Sequence, residues 1–458
     1  MRKLIFLFLL LATSFTYAQH KTSGKFGMAD TKGNIILPFE YDTINYLFYD
    51  INNYRFTDMD FLPAGFFGAK KNGRWGVVNK DGKEQVPFIY DHMKRYTEDG
   101  LIIVTKDKKE GVIDINGNVK VPIRYNSIKL LSRGLLEVEE EREKGKIIID
   151  TACNVIFPTP FISAQNMCSN RIWILINEYS WGAIDKEGKI KIPFQFYTRV
   201  ENFSQGYAKV AYGDNWGVID TLGSEIIPVE YSVGLHIDIN SEGENIIVSK
   251  SVDEYGLYGI NGKMLIPCVY EYLSYQEGVI LASKDDKCGI IDIYGNIISD
   301  FNYKEFGETG KGLIAALDFD DKYGVIDTKG EIVIPFIYDY ISYILDDYII
   351  VCEGDKMGVI DRTGKLIIPC QYEFLEAAGN GYFKAIEEEE QNNFGLIDIN
   401  NKLVLPYQYQ DILIVNEKDI IVTKNYLSGI IDFTGKTIIP CEYARILYRD
   451  DRIILKKP

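Results

Sequence analysis

The sequence predicts an all-β fold: a tandem array of twelve three-stranded antiparallel β-meanders. Three observations carry that prediction. One motif recurs from Phe26 onward, fullest in Tyr323-Gly324-Val325-Ile326-Asp327-Thr328-Lys329-Gly330-Glu331-Ile332-Val333-Ile334-Pro335, with Tyr338 three residues on. Aligned on the proline, the copies fall at Pro38, Pro87, Pro122, Pro158, Pro193, Pro228, Pro267, Asp300, Pro335, Pro369, Pro406 and Pro440, in steps of 49, 35, 36, 35, 35, 39, 33, 35, 34, 37 and 34 residues. Short β-branched and aromatic runs alternate with Asp, Lys and Gly throughout. A period of about 20 to 50 residues marks a repeat architecture whose units bury their apolar faces only against neighbours.

Each copy opens with a strand of the type Gly-Val-Ile-Asp. The acid position holds Asp30, Asn79, Asp114, Asp150, Asp185, Asp220, Gly259, Asp292, Asp327, Asp361, Asp398 and Asp432. Asp or Asn at the start of a type I turn bonds the backbone two residues on. Three residues later stand Gly33, Gly82, Gly117, Cys153, Gly188, Gly223, Gly262, Gly295, Gly330, Gly364, Asn401 and Gly435. A three-residue hairpin loop wants a left-handed residue there. The second strand is nearly unbroken aliphatic (Ile332-Val333-Ile334, Leu366-Ile367-Ile368), which predicts cover on both faces, and the proline is expected to end it.

An aromatic follows, tyrosine in ten copies and Phe161 and Phe196 in the other two. A short irregular segment such as Asp339-Tyr340-Ile341 then leads to a third strand, as in Tyr348-Ile349-Ile350-Val351 or Ile420-Ile421-Val422. Twelve units exceed the roughly four to eight blades of a propeller, so the expected shape is an elongated, superhelical array. At about 10 Å per sheet it would span on the order of 120 Å. The alternative is a pair of β-propellers, in which the last strand, Arg452 to Leu455, completes a first unit that otherwise lacks it. The reading is a single array over 19–458, with an insertion at 42–72 in the first copy.

Trp75-Gly76, Trp181-Gly182 and Trp216-Gly217, with the downstream Asp, Gly, Ile-Pro and Tyr, resemble the WG-repeat family of bacterial proteins. Other copies place Phe26, Tyr255, Tyr323, Met357 or Phe394 at the Trp position, and Glu110, Lys146, Cys288 and Ser428 depart altogether. The resemblance implies a β-rich array in secreted or envelope-associated proteins, with no catalytic residues to carry over.

Residues 1–18 read as a secretory signal: Arg2 and Lys3, an apolar stretch from Ile5 to Ala12, and Thr16-Tyr17-Ala18 predicting cleavage after Ala18. The apolar run is shorter than the roughly 20 residues of a membrane span. A secreted or periplasmic protein is expected. Removing Arg2 and Lys3 takes the formal charge from −16 to −18. That balance disfavours nucleic acid and anionic membrane surfaces as partners.

Of the seven cysteines, Cys268, Cys370 and Cys441 all follow the repeat proline in non-adjacent copies, too far apart for the roughly 7 Å Cα limit of a disulfide. Cys153, Cys288 and Cys352 occupy lattice or strand positions, so the cysteines read as small apolar fillers. The Asp ladder places one acid per turn, often beside a lysine, which suits turn capping better than calcium with its six to eight ligands. His20, His92 and His236 form no metal or catalytic spacing, and no nucleophile elbow or phosphate loop is present.

The acidic stretches Glu137 to Glu143 and Glu387 to Glu390 read as solvated hairpin tips, with a basic partner as the alternative. A surplus aromatic cluster (Tyr41, Tyr46, Phe48, Tyr49, Tyr54, Phe56, Phe61, Phe66, Phe67) reads as a packed cap or a binding surface. The reading is therefore an exported, non-catalytic scaffold, without cofactor, that binds a protein or glycan. The alternatives are a structural envelope component and, behind it, a carbohydrate-active enzyme.

Overall fold

The computed structural model describes residues 24–44, 65–96, 100–195, 197–231, 238–239, 245–344, 347–387, 393–449 and 452–458. The predicted signal and its cleavage site lie outside them. Among the described residues the chain forms twelve antiparallel sheets of four strands each. They fall into two compact units. The first holds the described residues up to Gly100, Ile115–Gly117 and Gln408–Pro458; the second holds Leu101–Asp114 and Asn118–Tyr407.

The three-stranded meander is corrected by this sheet construction. In the second unit, Glu305–Gly310, Leu313–Leu317, Tyr323–Asp327 and Ile332–Tyr338 form one sheet in that order. The segment after the aromatic, expected to be irregular, is itself a strand (Tyr340–Ile344) and opens the next sheet. Asp339 makes the corner: its carboxylate accepts the Gly354 amide at 2.7 Å and the Lys322 ammonium at 2.7 Å. One sequence copy therefore feeds two sheets, and the structural unit is out of phase with the repeat.

The proline does not end its strand. Ile332–Tyr338 runs through Pro335 as an edge strand, where a missing N–H costs no ladder bond. Nor is this strand covered on both faces: Ile332 is 63% exposed whereas Ile334 is fully buried. The doubly covered strands are the inner two, such as Leu313–Leu317 and Tyr323–Asp327. Opposite the proline the first strand carries Gly324. A Cβ there would lie 2.8 Å from the Phe336 ring and 2.9 Å from the Ile334 carbonyl oxygen. The glycine of the Trp-Gly pair thus makes room for the residue after the proline. Cys268, Cys370 and Cys441 fill that place over Gly256, Gly358 and Gly429.

All twelve glycine-position residues have positive φ, from 62° at Asn401 to 86° at Gly223. Each turn for which the neighbour is defined rests on the copy before it. Gly330 meets Ser299, Gly364 meets Ile334 and Gly188 meets Ile156, all within the second unit. In the first unit Gly82 meets Leu37, and Gly33 of copy 1 meets Ile438 and Ile439 of copy 12.

That last contact, with the terminal strands, overturns the open array. Phe26–Asp30 pairs with Arg452–Lys456 (Phe26 with Lys456, Met28 with Ile454, Asp30 with Arg452). Arg445–Arg449 flanks the other side of Arg452–Lys456, and Ile35–Tyr41 completes the sheet. Ile454 is buried with Phe26, Met28, Phe67 and Ile44. An unpaired edge is removed at both ends by joining them. The sheets are propeller-type blades, but the two-propeller alternative is met only in part. First-to-last pairing is the single non-consecutive strand pairing among the described residues, and nothing closes at mid-chain.

Candidate functional site

The turn acids are occupied by their own turns. Asp327 Oδ1 accepts the amides of Lys329 at 2.8 Å and Glu331 at 2.9 Å, while the Gly330 amide donates to the Asp327 carbonyl at 2.9 Å. Asn79 makes the same pair of bonds to Asp81 and Lys83. Side-chain donation from Asn34 holds Asp30 below the usual carboxylate range, and Asn154 does the same for Asp150. Thr363 and Thr434 do so for Asp361 and Asp432. Among the described residues no group of three or more His, Cys, Asp or Glu is arranged to hold a metal ion.

A second capping acid, four residues beyond the proline, was missed from the sequence. Asp42 takes the Lys25 ammonium and the Gly73 amide, and Asp91 takes Arg74. Asp339 takes Lys322, and Glu373 takes Lys356. The signal was there: a cation and an acid 17 residues apart in copy after copy.

The turn caps at Asp30, Asp150, Asp361 and Asp432 link stability to acid pH, and Tyr197, Tyr231 and Tyr407 link it to alkaline pH. The carboxyl pKa values of Asp30, Asp150, Asp361 and Asp432 lie below their ordinary value in the folded state. Their contribution is present above about pH 4 and lost as pH falls through the folded values. Burial pushes Tyr197, Tyr231 and Tyr407 well above the usual phenol range. Their contribution is complete below about pH 10 and lost as pH rises through the raised values. The thermal midpoint should therefore be flat between about pH 5 and 9 and fall on both sides. Replacing Asp30, Asp150, Asp361 and Asp432 by asparagine should flatten only the acid limb in a calorimetric pH series. An unchanged acid limb would refute the capping role.

The acidic stretches divide. Glu137 is buried rather than a solvated tip: Oε1 pairs with Lys146 at 2.7 Å and Oε2 accepts the Ala164 amide at 3.0 Å. Glu110, at a Trp position, is also buried and accepts the Ile128 amide at 2.7 Å. Glu140 and Glu141 are exposed, as is Glu387; Glu388, Glu389 and Glu390 lie outside the described residues. Of the surplus aromatics, Tyr41 and Phe67 are buried and Phe66 half-buried. The rest of that cluster, with His20, His236 and Phe196, lies outside the described residues. His92 is exposed on the strand His92–Tyr96.

All seven cysteines stand as thiols, each half-buried. Burial pushes the Cys370 thiol up to about 11 and raises Cys168, Cys268, Cys288 and Cys441 as well. At neutral pH these groups are protonated and poor nucleophiles.

What the structure leaves on the surface is an aliphatic side chain at one lattice position in copy after copy, eight of them in the second unit. Three residues before the proline stand Ile35, Val119, Val155, Ile190, Met264, Ile297, Ile332, Leu366 and Leu403, all exposed, from 39% at Met264 to 63% at Ile332. The remaining three copies carry Glu84, Glu225 and Thr437 there. Scattered exposed apolar residues are ordinary, but nine at one lattice position are not scattered.

A model of the WG-containing repeat matches residues 26–52, 75–109, 111–141, 181–216, 216–233, 255–288, 323–356, 357–386 and 394–426, more than half of the chain. A search of curated proteins returns no match. Similar solved structures include the computationally designed protein Ika8, at 10% identity over 64% of this chain and 94% of that one, with a TM-score of 0.27. Another is a eukaryotic initiation factor, at 10% identity over 76% and 95%, TM-score 0.27. A third is the extracellular domain of a one-component system of B. thetaiotaomicron, at 10% identity over 95% and 81%, TM-score 0.23. At such TM-scores the likenesses carry no argument about function.

Proposed function

Since the chain belongs to the WG-repeat family, we propose that it serves as an exported, non-catalytic scaffold holding a protein partner on the row of exposed aliphatic residues of its second unit. The row is the observation that supports this reading. A folded chain gains nothing by keeping Ile297, Ile332, Leu366 and Leu403 in water at the same lattice position, whereas a partner that covers them recovers the apolar burial. Two groups near it in sequence are already engaged: the Asp327 carboxylate caps its own turn, and burial keeps the Cys370 thiol protonated.

The test replaces Ile297, Ile332, Leu366 and Leu403 together by serine. Cross-linking in cells that produce the protein should join the wild type to one stoichiometric partner, and the quadruple variant should lose it with an unchanged thermal midpoint. Retention of the partner by that variant overturns the row. Sedimentation with cell-wall material without a partner would favour a structural envelope role. The exported protein should begin at or near Gln19 on N-terminal sequencing, and an intact Met1 would overturn export.

A further inference from the structure

Copy 8 breaks the repeat at three places at once. Cys288 stands at the Trp position, Ser299 where the other copies hold a buried apolar residue, and Asp300 in place of proline. In the flanking copies the Trp position carries a ring packed edge-on against a second ring five residues past the proline position. Tyr255 packs so on Tyr272 and Tyr323 on Tyr340, with centroids 5.7 Å apart in both pairs. Copy 8 has Cys288 and Glu305 at these two positions. Where a pair of rings would lie, the second unit has a cavity of about 420 Å³, bordered by both residues. That volume is within the roughly 300–1,000 Å³ of small-molecule sites.

The walls are chemically mixed. Tyr272 and Phe306 supply aromatic surface, and Phe306 is held against Tyr303 with centroids 5.5 Å apart. Ser274, Gln276 and Thr309 form a fixed polar chain: Gln276 Nε2 donates to Ser274 Oγ at 3.1 Å, and Thr309 Oγ1 donates to Gln276 Oε1 at 3.3 Å. The strand Glu305–Gly310 bulges between Phe306 and Thr309, which brings Glu308 to the wall beside Glu305. Among the described residues no cation pairs with either carboxylate, and no lysine or arginine lines the cavity.

We propose that this cavity binds a neutral sugar, one or two rings of a glycan. A sugar offers hydroxyl donors around its edge and C–H groups on its faces. Two carboxylates accept from neighbouring hydroxyls, the amide and hydroxyl side chains donate and accept, and the rings of Tyr272 and Phe306 meet the C–H faces. Glu305 and Glu308 repel an anionic sugar or a phosphate. A simple cation would leave the Ser274, Gln276 and Thr309 wall unused.

The experiment titrates full-length protein with cellobiose, maltose and N,N′-diacetylchitobiose, with digalacturonate and spermidine as controls, by calorimetry and saturation-transfer NMR. At least one neutral disaccharide should bind at millimolar concentration or better, and digalacturonate should not. Glu308→Gln should weaken that binding about tenfold, one charge-assisted hydrogen bond being exchanged for a neutral one. Cys288→Tyr with Glu305→Tyr restores the ring pair of the flanking copies and should abolish binding. Should the double variant melt early, Glu308→Gln at the surface bulge decides alone. No binding of any neutral probe, binding that survives the ring pair, or binding of spermidine only would each overturn the proposal. The outcome is independent of the scaffold reading, because the serine variant of the aliphatic row leaves the cavity intact.

Discussion

Gly188→Ala should lower the stability of the protein by about 3 kcal/mol or more, and Gly213→Ala by about 1 kcal/mol. Both glycines have positive φ, 81° and 60°, so both substitutions carry the strain of a left-handed alanine. They differ in what the new methyl meets. At Gly213 nothing lies within 4 Å, whereas at Gly188 it would sit 2.1 Å from the Ile156 carbonyl oxygen of the preceding copy. A backbone oxygen cannot swing aside as a side chain can, so copies 4 and 5 must separate or the turn must rebuild. Thermal and urea midpoints of the two variants make the comparison. Equal losses would mean that the turn glycines serve the hairpin alone and not the seating of one copy on the next.

Ile454→Asp should be the most damaging single change in the first unit. Ile454 is 1% exposed between Phe26–Asp30 and Arg445–Arg449, among Met28, Phe67 and Ile44. A carboxylate there must stay charged without a partner or take up a proton, at a cost of about 4 kcal/mol or more. Ile454→Val, which removes one methylene and keeps the strand, should cost only about 1 kcal/mol. Limited proteolysis followed by mass spectrometry should show early cuts on both sides of the closing sheet, near Lys25 and near Lys456, in the aspartate variant and not in the valine one. Protection equal to wild type would show that the terminal pairing contributes little.

The hairpins were legible because their signals are local. The Asp to Gly spacing fixes a turn by bonds made within five residues, and the structure has that turn at all twelve positions. The fourth strand was hidden because Asp339-Tyr340-Ile341 carries a corner signal and a strand signal at once, and only the sheet partner Tyr348–Glu353 decides between them. Closure was harder still. Phe26 and Lys456 are paired across nearly the whole chain, and no local pattern distinguishes a strand that meets the chain's other end from one that faces solvent. The aliphatic run Ile332-Val333-Ile334 read as doubly covered because hydrophobicity reports composition and not which edge of a sheet a strand occupies. The cavity in copy 8 was visible only as Cys288 and Asp300 falling out of register; that a second ring is also missing needed the partner position, Glu305.

The pairing of Phe26–Asp30 with Arg452–Lys456 also imposes an order in time. A ribosome that has made the first hairpin has not yet made the strand that borders it. At about 5 to 20 residues per second the wait is roughly 20 to 90 s. Through that interval Phe26–Asp30 has no partner on the edge that Arg452–Lys456 will take. The copies from 3 to 11 can settle one upon the next as they emerge, but the sheet that begins the chain is completed last.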